Sequence, residues 1–322
     1  MRVCVVGGAG YVGTTLVPRL LKRHDVTVLD SFWFGDHLSD HPKLIKIKGD
    51  IRNKSVLDKA FTKQDAVIHL ACVSNDPSFD LNPKLGRDIN YTCFKPMLLA
   101  LNQAEVNRFV YASSSSVYGV KEGIKVTEDV PCDPLTDYSK YKLSCELELK
   151  SFGTGGAWTI VRPATVCGYS PRMRFDLIVN ILARDAIKTK RITVHGGFQL
   201  RPNIHVKDMA KAYEFILDAP EKKVNEKTYN VGANNYSLEQ IAFSVRAALS
   251  DDKIEIIREE SKDPRSYHIC SDLIKNDLNF IPERTITGAV HSIRDAIDFG
   301  LLKDILTNTD YVNIARMNEL KL

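Results

Sequence analysis

Val5-Val6-Gly7-Gly8-Ala9-Gly10-Tyr11-Val12-Gly13 stands at the head of the chain, closing an apolar run at residues 2–6 and opening a helical stretch. Gly7, Gly10 and Gly13, placed between a strand and a helix, let backbone amides approach a diphosphate, and the helix N-terminus adds partial positive charge. Tyr11 and Val12 belong to the same expected cradle. Roughly twenty residues on, Asp30 ends the next apolar run, where a carboxylate accepts hydrogen bonds from adenosine ribose hydroxyls. The following Ser31-Phe32-Trp33-Phe34 brings no arginine to offset a 2′-phosphate, so the pattern predicts NAD rather than NADP. Gly49-Asp50-Ile51, after a third apolar run, is placed to hold the adenine edge, and its spacing fits an ordinary turn equally well.

Working outward, strand-like runs at 2–6, 26–29, 44–48, 66–70, 108–111 and 159–161 alternate with helical stretches. That rhythm predicts an α/β fold with a doubly wound parallel sheet of the Rossmann type. Parallel strands need helical crossovers, and right-handed crossovers leave a ligand crevice at the carboxyl ends of the strands. After Gly168 the pattern changes to a helix near 175–186, a short strand near 192–194 and helices near 208–217 and 238–249. We expect residues 1–168 to bind the dinucleotide and 169–322 to form a smaller α/β substrate domain, with interleaving of segments allowed. The tail beyond about Leu306 carries no readable pattern.

At 322 residues and 44% hydrophobic content the chain can bury one large core or two fused ones. The 44 basic and 40 acidic residues leave a net charge of +4, too even for a nucleic-acid partner. Seven cysteines, an odd number with no Cys-x-x-Cys spacing, argue against a disulfide framework and for a reducing cytoplasm. No apolar stretch approaches the ~20 residues of a membrane span, so a soluble protein is expected. His37 and His41 are spaced i, i+4 without a third ligand, and no metal is expected. His69 and His205 lie on apolar runs and read as packed structural residues. Trp33 and Phe34 fit equally an adenosine flank or a shield for the loop.

Tyr138-Ser139-Lys140-Tyr141-Lys142 places an ammonium one helical turn after a phenol. Free tyrosine has a pKa near 10, so acting as a base near neutrality means recovering about three units, or roughly 4 kcal/mol. A cation close by typically lowers a pKa by ~1–3 units. The pair alone reads more readily as the surface of an amphipathic helix. Ser113-Ser114-Ser115-Ser116-Val117-Tyr118-Gly119 shifts the balance, because it follows the fifth strand and so lies at the carboxyl end of the sheet.

Taken together, the cradle, Asp30, the serine run and the Tyr138–Lys142 pair resemble the extended short-chain dehydrogenase/reductase family. More narrowly the chain is similar, over nearly its whole length, to the nucleotide-sugar epimerase/dehydratase branch. The resemblance implies Ser114, Tyr138 and Lys142 as catalytic groups, Asn90, Leu70, Ala71 and Pro163 as further cofactor contacts, and Thr165 as a sugar contact. Thr165 is a departure, since many epimerases carry asparagine there. The implied chemistry is proton removal by Tyr138 from a sugar hydroxyl, generally at C4, while the carbon's hydride passes to NAD. A dehydratase would need Asp-Glu just after the catalytic serine, where this chain has Ser115-Ser116. An epimerase is the leading expectation, with homodimers typical of the family. Alternatives are a 4-dehydrogenase or 4-ketoreductase and a non-catalytic NAD sensor.

The branch also implies arginine contacts to a sugar-nucleotide diphosphate, here Arg172, Arg174, Arg201 and Arg265, whose fork of donors suits phosphate oxygens. Ser170-Pro171-Arg172-Met173-Arg174, continuing through Phe175-Asp176-Leu177-Ile178-Val179-Asn180, further resembles bacterial GDP-heptose 4-dehydrogenases, which keeps net oxidation open.

Overall fold

Six strands follow one another in the first half of the chain: β1 (Arg2–Val6), β2 (Asp25–Asp30), β3 (Leu44–Lys48), β4 (Ala66–His69), β5 (Arg108–Ala112) and β6 (Ala157–Pro163). The computed structural model describes residues 1–121, 123–260, 266 and 268–322. Strand β4 is buried along its whole length and β1 from its second residue onward, which explains why both read as unbroken apolar runs. Six more strands follow: β7 (Thr165–Cys167), β8 (Arg191–His195), β9 (Leu200–His205), β10 (Lys227–Val231), β11 (Asn234–Ser237) and β12 (Glu255–Glu259).

The main sheet has seven strands in the order β10-β6-β5-β4-β1-β2-β3, all parallel. The chain winds outward from β1 to β3, then returns to β4 on the other side of β1, so the crossovers diverge there and open a crevice. The seventh strand comes from beyond residue 168. Helix Val206–Asp218 packs on helix Gly13–Leu20, and β10 then pairs with β6, Lys227 beside Thr159 and Val231 beside Pro163.

A second layer is built from the small sheet β11-β9-β7, the parallel pair β12-β8 and three mutually packed helices, Ile178–Thr189, Leu238–Leu249 and Ile286–Asp298. Its core includes Phe175, Ile192, Ile241 and Val290, each fully buried. Three bonds fasten this layer to the glycine turn: Tyr11 Oη donates to the Gly168 carbonyl at 2.5 Å, Ser170 Oγ donates to the Tyr11 carbonyl at 2.7 Å and Asn180 Nδ2 donates to Tyr11 Oη at 3.0 Å.

The tail that showed no sequence pattern forms a turn at Thr309–Tyr311 and a helix at Asn313–Glu319, which packs on helix Asp76–Leu81. Phe175 N donates to the Tyr311 carbonyl at 2.7 Å, and their rings meet edge to face at 5.6 Å. A seven-residue helix whose buried side chains are Asn313 and Met317 has no apolar stripe to betray it. Among the described residues no helix is long and apolar enough to cross a membrane.

Candidate active site

The carboxyl ends of β1, β2, β4 and β5 open on one cavity of about 350 Å³. At one end lies the glycine turn. Gly7 has φ +83°, and a Cβ on it would come 2.5 Å from Ala71 N, while one on Gly13 would strike the Gly8 carbonyl. Both positions therefore need glycine, because neighbouring backbone already occupies the space a side chain would take. Asp30 borders this space. Its carboxylate accepts from Ala9 N at 3.0 Å and Phe32 N at 2.8 Å, yet burial still raises its pKa above the ordinary carboxylate value. An enclosed carboxylate beside a backbone cradle fits a dinucleotide with a free ribose diol. Gly10, Tyr11, Val12, Asp50, Ile51, Leu70 and Ala71 line the same cavity, as do Trp33 and Phe34. Asp50 is paired with Arg52 at 2.6 Å.

The other end holds the residues expected to react. Thr136 and Ser139 cap helix Asp137–Phe152 reciprocally, Thr136 Oγ1 accepting from Ser139 N and Ser139 Oγ from Thr136 N. The cap fixes where the helix starts, and successive turns then carry Tyr138, Lys142 and Glu146 on one side. Glu146 anchors that side: it pairs with Arg162 of β6 at 2.6 Å, both side chains being 3% exposed or less, and accepts from Ser113 Oγ at 2.5 Å. Lys142 Nζ donates to the Ala112 carbonyl at 2.7 Å and stands 6.0 Å from the centre of the Tyr138 ring. Ser114 Oγ lies 2.8 Å from Ser116 Oγ, accepts from Ser116 N at 3.1 Å and is hydrogen-bonded to Tyr138.

The protein's own groups raise the Tyr138 phenol well above 10. Desolvation is the main cause, joined by the nearby Cys72 and Asp76, while Arg174 and the bond from Ser114 pull the other way. The Lys142 ammonium is aimed at a backbone carbonyl and stands a full 6.0 Å from the ring, too little to overcome burial.

The remaining predicted residues divide. Pro163, Thr165, Arg172 and Arg174 line the cavity. Asn90 lies beneath it, clipping Val73 by accepting from its N–H at 2.8 Å and donating to its carbonyl at 2.9 Å, and so shapes the loop after β4 from behind. Arg201 sits on β9 away from the lining, with Nη1 donating to the Leu200 carbonyl at 3.0 Å. Arg265 lies outside the described residues. Arg174 is already engaged: it grips Asp176 through Nε at 2.8 Å and Nη2 at 3.1 Å, and donates to Ser74 Oγ at 2.9 Å. His69 is stacked between Phe94 and Tyr111, its pKa pushed by burial down to about 3, and His205 accepts from Lys207 N as a helix cap.

Sequence reasoning missed the polar ring around Arg174. Asn75 Nδ2 donates to Asp176 at 3.0 Å, and Asn313 Nδ2 donates to Ser74 Oγ at 3.0 Å. Asp176 stood inside a quoted motif and could have been paired with Arg174. Asn313, 137 residues further on, left no signal.

Residues 3–232 match the NAD dependent epimerase/dehydratase family. The UDP-glucose 4-epimerase of Lactobacillus helveticus is 30% identical over 267 residues, spanning 76% of this chain and 81% of the relative. The UDP-glucose 4-epimerase of Thermus thermophilus, solved in complex with NAD, superposes with a TM-score of 0.79 at 25% identity, over 92% of this chain and 100% of the other. MoeE5, solved in complex with UDP-glucuronic acid and NAD, gives a TM-score of 0.81 at 25% identity over 93% and 100%.

Proposed function

Because this chain belongs to the NAD-dependent epimerase/dehydratase family, we propose that it is a nucleotide-sugar epimerase that inverts C4 through a transient 4-ketone. One observation carries the reading: Ser114, Tyr138 and Lys142 converge at one end of the cavity whose other end is the glycine turn and Asp30. Gly7, Gly10 and Gly13 would hold the diphosphate of NAD, Asp30 its adenosine ribose, and Pro163 and Thr165 would flank the nicotinamide. When bound, NAD supplies a hydride acceptor and, in its oxidised form, positive charge beside the phenol.

Tyr138 Oη takes the proton from the C4 hydroxyl. Ser114 Oγ, within hydrogen-bond reach of Tyr138, holds the sugar oxygen while the proton moves. Lys142, tethered to Ala112, adds positive charge behind the ring and keeps the phenol oriented. After the ketone has turned in the cavity, Tyr138 returns the proton to the same oxygen. Because burial raises the phenol, the forward step needs its phenolate, which the Lys142 ammonium and the positive charge of oxidised NAD would favour. Ser115 and Ser116 offer no carboxyl for eliminating water, which supports epimerisation over 4,6-dehydration. Tyr138→Phe should lower turnover by about 10²–10⁴-fold while NAD affinity stays within twofold. Undiminished turnover would remove Tyr138 from the mechanism.

The working division is dinucleotide binding by residues 1–168 and substrate binding by 169–322, with β10 lent back to the first. The enzyme acts as a homodimer through helices Phe94–Gln103 and Asp137–Phe152, whose outer faces leave Leu99, Leu147 and Phe152 exposed. Light scattering should give twice the chain mass, and Leu147→Glu should halve it; a monomeric parent protein rejects the interface. A cytoplasmic setting is supported by seven cysteines that stand as free thiols.

A further inference from the structure

Arg172 and Arg174 are two residues apart and point to opposite ends of the cavity. Arg174 faces Tyr138 and has Asp176 as its counter-charge. Arg172 lies instead over the glycine turn. Its backbone N donates to Thr14 Oγ1 at 3.3 Å, setting it above the first turn of helix Gly13–Leu20, and its guanidinium lies 4.0 Å from the centre of the Phe34 ring, just past Asp30. The side chain lines the cavity, although the residue is only 3% exposed.

What the guanidinium lacks is a paired counter-ion, since Asp176, Asp30 and Asp310 act on it only from beyond ion-pair distance. Nη2 donates to Asn313 Oδ1 at 2.5 Å and Nη1 to the Met173 carbonyl at 3.4 Å, while Nε is buried without a partner. Among the described residues no carboxylate lies within ion-pair distance of it. Burial, with the like charge of Arg174, pushes the group down to about 9. A buried cation that is unpaired is costly to keep, and the most direct remedy is an anion that arrives from the cavity. The space it borders lies at a helix N-terminus and a glycine-rich turn, both of which favour phosphate oxygens.

We infer that Arg172, oriented by Asn313 of the C-terminal helix, is a ligand for the diphosphate of the bound dinucleotide, so that the tail of the chain completes the cofactor site. The inference rests on the NAD reading above. It moves Arg172 from the sugar-nucleotide, where the sequence had placed it, to the cofactor. Asn313 touches no cofactor atom in this account; it is a positioning residue, holding Nη2 at one edge of the fork.

Binding decides the matter, read by calorimetry with NAD, ADP, NADP and adenosine on full-length protein exchanged free of bound nucleotide. Arg172→Gln should weaken NAD and ADP at least tenfold and leave adenosine, which has no phosphate, within twofold. Arg172→Lys should recover part of the loss. Asn313→Ala, which keeps the guanidinium, should weaken ADP about threefold. An Arg172→Gln protein that binds ADP like the parent overturns the inference, as does one that loses ADP and adenosine alike, since that loss is structural. Selective loss of NADP with ADP unchanged also overturns it, by assigning Arg172 to a 2′-phosphate. If Arg172→Gln does not fold, Asn313→Ala decides, and unchanged ADP binding overturns the inference. A parent protein that binds no NAD defeats the preceding reading too; normal parent binding with unaltered variants defeats this one alone.

Discussion

Ser114 sets the protonation of Tyr138 more directly than Lys142 does. Its hydrogen bond and the charge of Arg174 both favour the phenolate, against the burial that opposes it. Removing the bond with Ser114→Ala should therefore raise the phenol further, move the acidic limb of the kcat profile to higher pH and slow turnover at neutral pH by about tenfold. A slower variant with an unmoved limb would leave Ser114 as a holder of substrate alone. That Tyr138 and Lys142 share a side of one helix, and that the serine run lies at the end of a strand, was legible because both are local geometry; the choice of Ser114 within the run came from the family resemblance. The phenol's environment was not legible, since Cys72, Asp76 and Arg174 reach it from other segments. Asn90 illustrates the same limit: the sequence marked it as a cofactor contact, whereas its amide is spent on Val73.

At the scale of the element, helix Asp137–Phe152 is held to the sheet by the buried pair of Glu146 with Arg162, whose Nη1 also donates to Tyr118 Oη at 2.7 Å. Glu146→Gln keeps the volume and leaves the guanidinium without a counter-charge. Removing one partner of such a pair costs about 3–5 kcal/mol, and urea unfolding should show a loss of that size; a change below about 1 kcal/mol would mean that Tyr118 and the Glu128 carbonyl suffice. Strands β1 and β3 fall where the apolar runs put them, and β6 extends two residues beyond its run at each end. Apolar periodicity marks such elements because burial itself defines them. Helix Asn313–Glu319 is defined instead by polar contacts with Arg172 and Ser74, which leave no period to read.

Across the whole molecule, two layers meet over one cavity, and His69 and His205 are buried within them, as is His24, whose pKa burial also lowers. Burial lowers His69 to about 3 and His205 to about 4, so the unfolded chain, with an ordinary histidine pKa, takes up protons first as pH falls. Their stabilising share is full above about pH 6.5 and declines below it, by roughly 2 kcal/mol for each at pH 5. Urea melts at pH 7.5 and 5 should show this decline, and His205→Asn, which preserves a capping side chain, should remove about half of it; a pH-independent stability would show that neither is held neutral. The doubly wound parallel sheet followed from the alternation of elements, but the return of β10 to β6 did not, because pairing between distant segments is set by tertiary packing. The central claim, that this cavity inverts C4, is tested most directly by NMR and mass analysis of products from UDP-, GDP-, CDP- and dTDP-sugars incubated with the purified protein. The account predicts that one of these sugars is converted to its C4 epimer at unchanged mass, with no NADH accumulating. A product lighter by two hydrogens would contradict it.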